Sequence, residues 1–242
     1  MKATRFEFRF RLAIAFLIYG LGFGLPWLIF SAGGPRVTTT WLALSGAFAH
    51  TGALTMRSAV VAVSWLTIMI AAVGAVFRVC GTAYIGAGIM TSGQMHAASV
   101  LAAGPYRYVR NPLYLGSFVF ACAVAILMAP TGALVFLTAL FVQTVRLILG
   151  EEAYLEAKQG EAYLAYKARV PRLVPSLRPC VPASVAKPRW LVAILAETYP
   201  VAMTICFAVL VWRYNADLLI RAVIICFGAS LVVRAFAVEK PR

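Results

Sequence analysis

Apolar residues run through this chain in long blocks separated by short charged stretches. Residues 12–30 hold 19 positions without a charge, and greasy blocks with few charges recur at 59–77, 112–129, 131–149, 190–212 and 217–238. A helix that crosses the bilayer needs ~20 predominantly apolar residues. The pattern therefore predicts an all-α integral membrane protein of about six transmembrane helices. The first block exceeds the 7–15 apolar residues of a signal peptide, and no small-x-small site follows it closely, so it reads as a span. Residues 38–56 mix apolar stretches with Ser45, His50, Thr51 and Thr55 and read as a re-entrant or interfacial helix.

Pro130, Thr131 and Gly132 predict a tight turn, which makes a helical hairpin of the third and fourth blocks. Residues 151–168 read as an amphipathic helix whose first turn carries Glu151 and Glu152, where acids suit the helix dipole, and which Gly160 weakens in the middle. It ends before Pro171. Residues 171–188 contain five prolines and predict irregular backbone. These breaks divide the chain into N-terminal helices at 1–95, a core at 96–178 and a C-terminal helix pair at 179–242.

Composition strengthens the membrane reading. Hydrophobic residues make up 62% and charged residues 12% of the 242 positions, against ~45–50% and ~25% in soluble domains. The net charge of +14 would suit a nucleic-acid binder only if Lys and Arg shared one soluble face. Here they lie between apolar blocks. With the N-terminus inside, only Arg36, Arg57, Arg213 and Arg221 fall on or near the outer side, and the other 18 of 22 basic residues cluster inside. That is the positive-inside pattern, and it predicts no nucleic-acid partner. It also places residues 79–111 and 150–189 on the cytoplasmic side, flanking one hairpin. No CxxC pair occurs and the two histidines, His50 and His96, lie far apart, so a metal site is not expected.

The densest chemistry is GPYRYVRNPLYLG at residues 104–116. Pro112 suits the first position of a helix and Asn111 the cap before it. A helix start beside Arg107 and Arg110 favours an anion, with Tyr106, Tyr108 and Tyr114 supplying aromatic faces. An aromatic and basic belt at the membrane interface is the plainer alternative. A second signal begins at Arg146 and continues through Glu151 and Glu152 to GEAYLAYKARVP at residues 160–171. It reads either as a solvated helix face or as paired acids opposite the arginines. Because the hairpin returns to its starting side, the two signals are expected to be neighbours. Glu197, in the fifth block, is a membrane acid and hence a functional candidate; snorkelling or a pair with Arg189 accounts for it equally.

These two motifs, in this order around one hairpin, resemble the isoprenylcysteine carboxyl methyltransferase family, part of a wider group of membrane methyltransferases that includes phospholipid N-methyltransferases. The resemblance covers roughly residues 96–175. It implies S-adenosyl-L-methionine as methyl donor and a cytoplasmic cofactor site built around the hairpin. It implies catalytic roles for Arg110, Arg146 and Glu152, and cofactor contacts from His96, Gly104, Tyr106, Arg107, Asn111, Tyr114, Glu151 and Glu152. The family pattern has Arg-His-Pro where this chain has Arg110-Asn111-Pro112; asparagine can hydrogen-bond and cap but cannot titrate, and His96 partly replaces the family histidine. The implied acceptor is a lipophilic or small thiol- or carboxylate-bearing molecule that enters from the bilayer. The alternatives are a phospholipid head-group N-methyltransferase and a non-catalytic membrane protein on the same scaffold. The expected location is the plasma (inner) membrane, with the active site facing the cytoplasm.

Overall fold

The computed structural model describes residues 2–29, 38–85, 103–184 and 186–237. Among the described residues every element is helical: α1 Arg5–Arg9, α2 Arg11–Ile29, α3 Thr40–His50, α4 Met56–Ile85, α5 Pro112–Ala125, α6 Pro130–Gln159, α7 Glu161–Arg169, α8 Trp190–Ala196, α9 Thr198–Leu210 and α10 Ala216–Ala237, with short 3-10 turns at Gly104–Arg107 and Val211–Arg213. The protein is an all-α integral membrane protein.

Three helices are long and apolar enough to cross a membrane, namely α4, α6 and most of α10; α8 and α9 qualify together as a fourth, bent by 75°. The six apolar blocks therefore do not make six full-length helices among the described residues. The block at 112–129 supplies only the 14 residues of α5, which rise ~21 Å at 1.5 Å each, short of the ~30 Å hydrocarbon core. Residues 126–129 turn the chain instead, and Pro130 opens α6 at its first position rather than standing in the turn. The block at 190–212 breaks at Glu197. The block at 131–149 behaves oppositely: its helix does not stop where the apolar run ends but continues to Gln159, and Gly160, with φ 55°, separates it from α7. The amphipathic helix expected over 151–168 is thus the end of α6 plus α7. The segment at 38–56 yields the 11-residue α3, too short to span, whose first amides donate to the carbonyls of Met128 and Ile126 in the α5–α6 turn.

Close backbone approach explains how α4 and α5 pack. A Cβ on Gly74 would lie 2.6 Å from the Phe120 backbone nitrogen, and one on Gly116 would lie 2.8 Å from the Gly74 carbonyl oxygen. Helix α2 lies along α6, with Gly22 against Met128 and Phe136 and the Tyr19 ring edge-on to Phe136 at 4.6 Å. Phe120, Met203, Phe207 and Leu219 knit α5, α9 and α10 into the main apolar core. One end of this bundle gathers the start of α5, the long end of α6, α7 and the irregular strap that follows it.

Candidate functional site

Residues 103–112 lead into α5 through the 3-10 turn, and the turn is held from outside. Tyr166 on α7 donates its hydroxyl to the Tyr106 carbonyl at 2.8 Å. The strap after α7 then runs along the turn: the Arg110 amide donates to the Pro171 carbonyl at 2.8 Å, the Ser176 amide to Tyr108 at 2.9 Å and the Cys180 amide to Arg107 at 2.9 Å. The proline-rich strap is irregular, as its composition predicts, yet fixed. Tyr163, Tyr166 and Val170 form a small buried core beneath it with Leu155, Cys180 and Val181. Burial pushes the hydroxyls of Tyr163 and Tyr166 above the usual phenol range, so both stay neutral donors.

This scaffold brings the two sequence motifs together. Glu152, 3% exposed, points from α6 at the entrance to α5. The Arg172 guanidinium straddles its carboxylate, with Nη2 to Oε2 at 2.8 Å and Nε to Oε1 at 3.1 Å. Asn111 Nδ2 lies 3.4 Å from Oε1 and also donates to the Arg172 carbonyl at 3.2 Å. Arg110 Nη1 stands 3.5 Å from Oε1, within Coulomb range but without a hydrogen bond. The Arg110 side chain is 9% exposed, and neither its Nε nor its Nη1 has an acceptor among the described residues. Hydrogen bonding to Glu152 holds Arg172 above the usual guanidinium range.

Two guanidiniums thus face one carboxylate in a buried place. Glu156, itself paired with Lys167, acts on both guanidiniums from farther off, yet two donor nitrogens of Arg110 are unspent. Buried donors without acceptors are costly, of order 1–3 kcal/mol each, and an oxyanion would satisfy them. The residues therefore fit a ligand such as the implied cofactor, which carries a carboxylate.

Other predicted site residues take varied positions. The Tyr114 hydroxyl hydrogen-bonds Glu151 across the hairpin, with Arg11 of α2 nearby. Asn111 precedes Pro112, but its side chain makes no cap bond because it is committed to Glu152 and Arg172. Gly104, at φ 48°, sits where a Cβ would strike the Tyr84 ring at 2.3 Å. Tyr106 is buried, its hydroxyl lacks a partner, and burial raises it well above the usual phenol range. Arg107 turns away from Glu152 and donates Nε to the Val181 carbonyl at 2.9 Å. Arg146 is not brought to Glu152: it pairs with Glu7, Nη2 to Oε2 at 2.9 Å. Six residues along α6 turn a side chain through roughly 600°, so the two point about 120° apart. His96 lies outside the described residues.

Residues 62–162 match the phospholipid methyltransferase family model. The match makes the core of this chain similar to that of membrane methyltransferases. The matched stretch begins in α4, contains α5 and α6 whole, and ends inside α7. It includes Arg110, Asn111 and Glu152 and stops short of the strap and Arg172. No curated protein and no solved structure gives a significant match.

Arg172 was not singled out by the sequence, where it is one of seven basic residues between 158 and 189. Its one signal was its place directly after Pro171, at the end of the second motif. Glu197 pairs with Arg78 of α4 and not with Arg189, because the bend between α8 and α9 turns it inward.

Proposed function

We propose that the chain is an S-adenosyl-L-methionine-dependent membrane methyltransferase acting at the cytoplasmic face on a lipophilic, carboxylate-bearing acceptor of the isoprenylcysteine type. The observation that carries this reading is the nine-tenths-buried Arg110, with two unpartnered donor nitrogens beside Glu152. The donor supplies an electrophilic methyl on a sulfonium. Methyl transfer is a direct displacement, so the protein's task is to place the reactants in line and exclude water. Arg110 is suited to hold an oxyanion, that of the cofactor's amino-acid end or that of the acceptor. Glu152, held by Asn111, is suited to the cofactor's amine or ribose hydroxyls. A carboxylate acceptor is already ionised at neutral pH and needs no general base. The strap and α7 cover the turn and keep it dry, while the flank of the bundle leaves a lipid tail in the bilayer.

The family match favours a second reading, phospholipid head-group N-methylation. An amine acceptor must lose a proton before it attacks, and Glu151 or Glu152 would take it. Calorimetry with S-adenosylhomocysteine on the purified protein tests both readings together; absence of saturable binding would count against each. Lipid extracts incubated with methyl-labelled donor separate them: base-labile ester label supports the first, and base-stable amine lipid the second.

A further inference from the structure

We infer that Arg172 and Arg110 together form a seat for a ligand oxyanion, a carboxylate or a phosphate, and that Arg172 is the specificity-determining half of it. The inference rests on the methyltransferase reading for its ligands but not for its geometry. Arg110 comes from the turn before α5 and is buried to nine-tenths, and its Nε and Nη1 find no acceptor. Arg172 comes from the strap, a different element, and its side chain is 41% exposed. Both guanidiniums converge on the Glu152 carboxylate, Arg172 through a two-pronged contact and Arg110 at 3.5 Å.

The unspent donors of Arg110 call for one more acceptor. Arg110 supplies the fixed donors. Arg172, half in solvent, is the jaw that can rotate from a Glu152 oxygen onto an incoming oxyanion. Glu152 does not lose its orientation in that exchange, because Asn111 holds it and also holds the Arg172 carbonyl. The strap's backbone bonds to residues 107, 108 and 110 keep the jaw at the right height. Planar guanidinium forks are the groups best matched to carboxylate and phosphate. Arg172 lies in the strap, beyond the stretch that matches the family model.

The oxyanion can come from the cofactor's amino-acid end or from the acceptor. The test uses the full chain in detergent, as wild type, Arg172→Ala and Arg172→Lys. Calorimetry compares S-adenosylhomocysteine with its decarboxylated analogue, which keeps the amine and lacks only the carboxylate. The expected result is at least a tenfold weaker affinity of Arg172→Ala for S-adenosylhomocysteine, no change for the analogue, and partial recovery in Arg172→Lys. If the cofactor affinity holds but the KM for the acceptor rises tenfold at unchanged kcat, the seat stands and its anion is the acceptor's. Equal weakening of both nucleosides shows a merely structural strap residue and overturns the seat, as does tighter S-adenosylhomocysteine binding in Arg172→Ala or no change in any quantity. Should the wild type bind no S-adenosylhomocysteine, the methyltransferase reading falls, and inorganic phosphate decides the seat alone: binding lost in Arg172→Ala keeps it, and no binding to the wild type overturns it.

Discussion

Arg78 and Glu197 stand 119 residues apart in the chain and meet inside the bundle, Nη2 to Oε1 at 2.9 Å. The carboxylate is fully buried and also receives the Thr82 hydroxyl at 2.7 Å, while Arg78 Nη1 reaches Ser117 on α5. Arg234 of α10 donates Nε to the Ala196 carbonyl at 2.9 Å, beside the same bend. The network ties α5 and the part of α4 that the family match covers to α8–α10, which it does not. Removing one member of a buried pair leaves an unpaired charge and costs about 3–5 kcal/mol, whereas replacing both with apolar residues is often neutral. Glu197→Ala and Arg78→Ala are each expected to lower the thermal midpoint in detergent markedly, and Arg78→Met with Glu197→Leu to fall well below the sum. Additive losses in a double-mutant cycle would show that the pair is not coupled.

Glu152→Gln keeps the size and hydrogen-bonding shape of the side chain but removes the charge that faces Arg110 and Arg172. Methyl transfer is expected to fall about 100-fold or more in kcat/KM, equivalent to about 2.7 kcal/mol, with the protein still folded by thermal unfolding. Arg110→Ala is expected to act similarly. Turnover within threefold of wild type for either variant would show that the transfer occurs elsewhere.

Helix packing gives a prediction independent of chemistry. A methyl on Gly74 meets the backbone of Phe120, which cannot rotate away. Gly74→Ala is therefore expected to destabilise the α4–α5 contact by about 1–3 kcal/mol, the usual cost of overpacking. Gly228, on α10, has open space where its Cβ would be. Gly228→Ala should be neutral or slightly stabilising through helix propensity. Equal thermal midpoints for the two variants would contradict the packing.

Hydropathy made the hairpin and the meeting of its two ends legible, because α5 and the first half of α6 are largely apolar runs and Pro112 marks a helix start by its missing N–H. The break at Glu197 was not legible: a window 20 residues wide averages one acid away, and its partner Arg78 lies 119 residues off in the chain. The continuation of α6 through residues 150–159 was hidden for the opposite reason. Glu151, Glu152, Glu156 and Lys158 end the hydropathy signal, yet all favour helix. Within the site, Arg110 and Glu152 stood out as charges beside helix ends. Arg172 did not, since an irregular strap has no periodicity to say which side chain turns inward. The contact of Arg146 with Glu7 joins residues 139 apart, and no local pattern encodes such a pair.

That contact fastens the N-terminus to α6 and gives a pH dependence. Thr4 and Glu7 close a capping box at the start of α1, the Ala3 amide donates to the Arg146 carbonyl at 3.0 Å, and Arg146 Nη2 also reaches the Lys2 carbonyl. The Arg146 hydrogen bonds first, and the Thr4 amide second, lower the Glu7 carboxyl from 4.5 to about 2. A carboxylate lowered on folding stabilises fully above its unfolded value, and that support is lost as pH falls toward the folded one. The clasp should therefore be intact from neutral pH down to 4.5 and weaken between 4.5 and 2. Pepsin works in this window, and Glu7→Gln supplies the unclasped reference. At pH 4.5 the wild type is expected to be cut within residues 2–11 several times more slowly than Glu7→Gln, and near pH 2 the two rates should converge. Arg146→Ala should match Glu7→Gln in cleavage at pH 4.5 and lose far less methyl transfer than Glu152→Gln. A loss of transfer as large as that of Glu152→Gln would instead make Arg146 part of the reacting site.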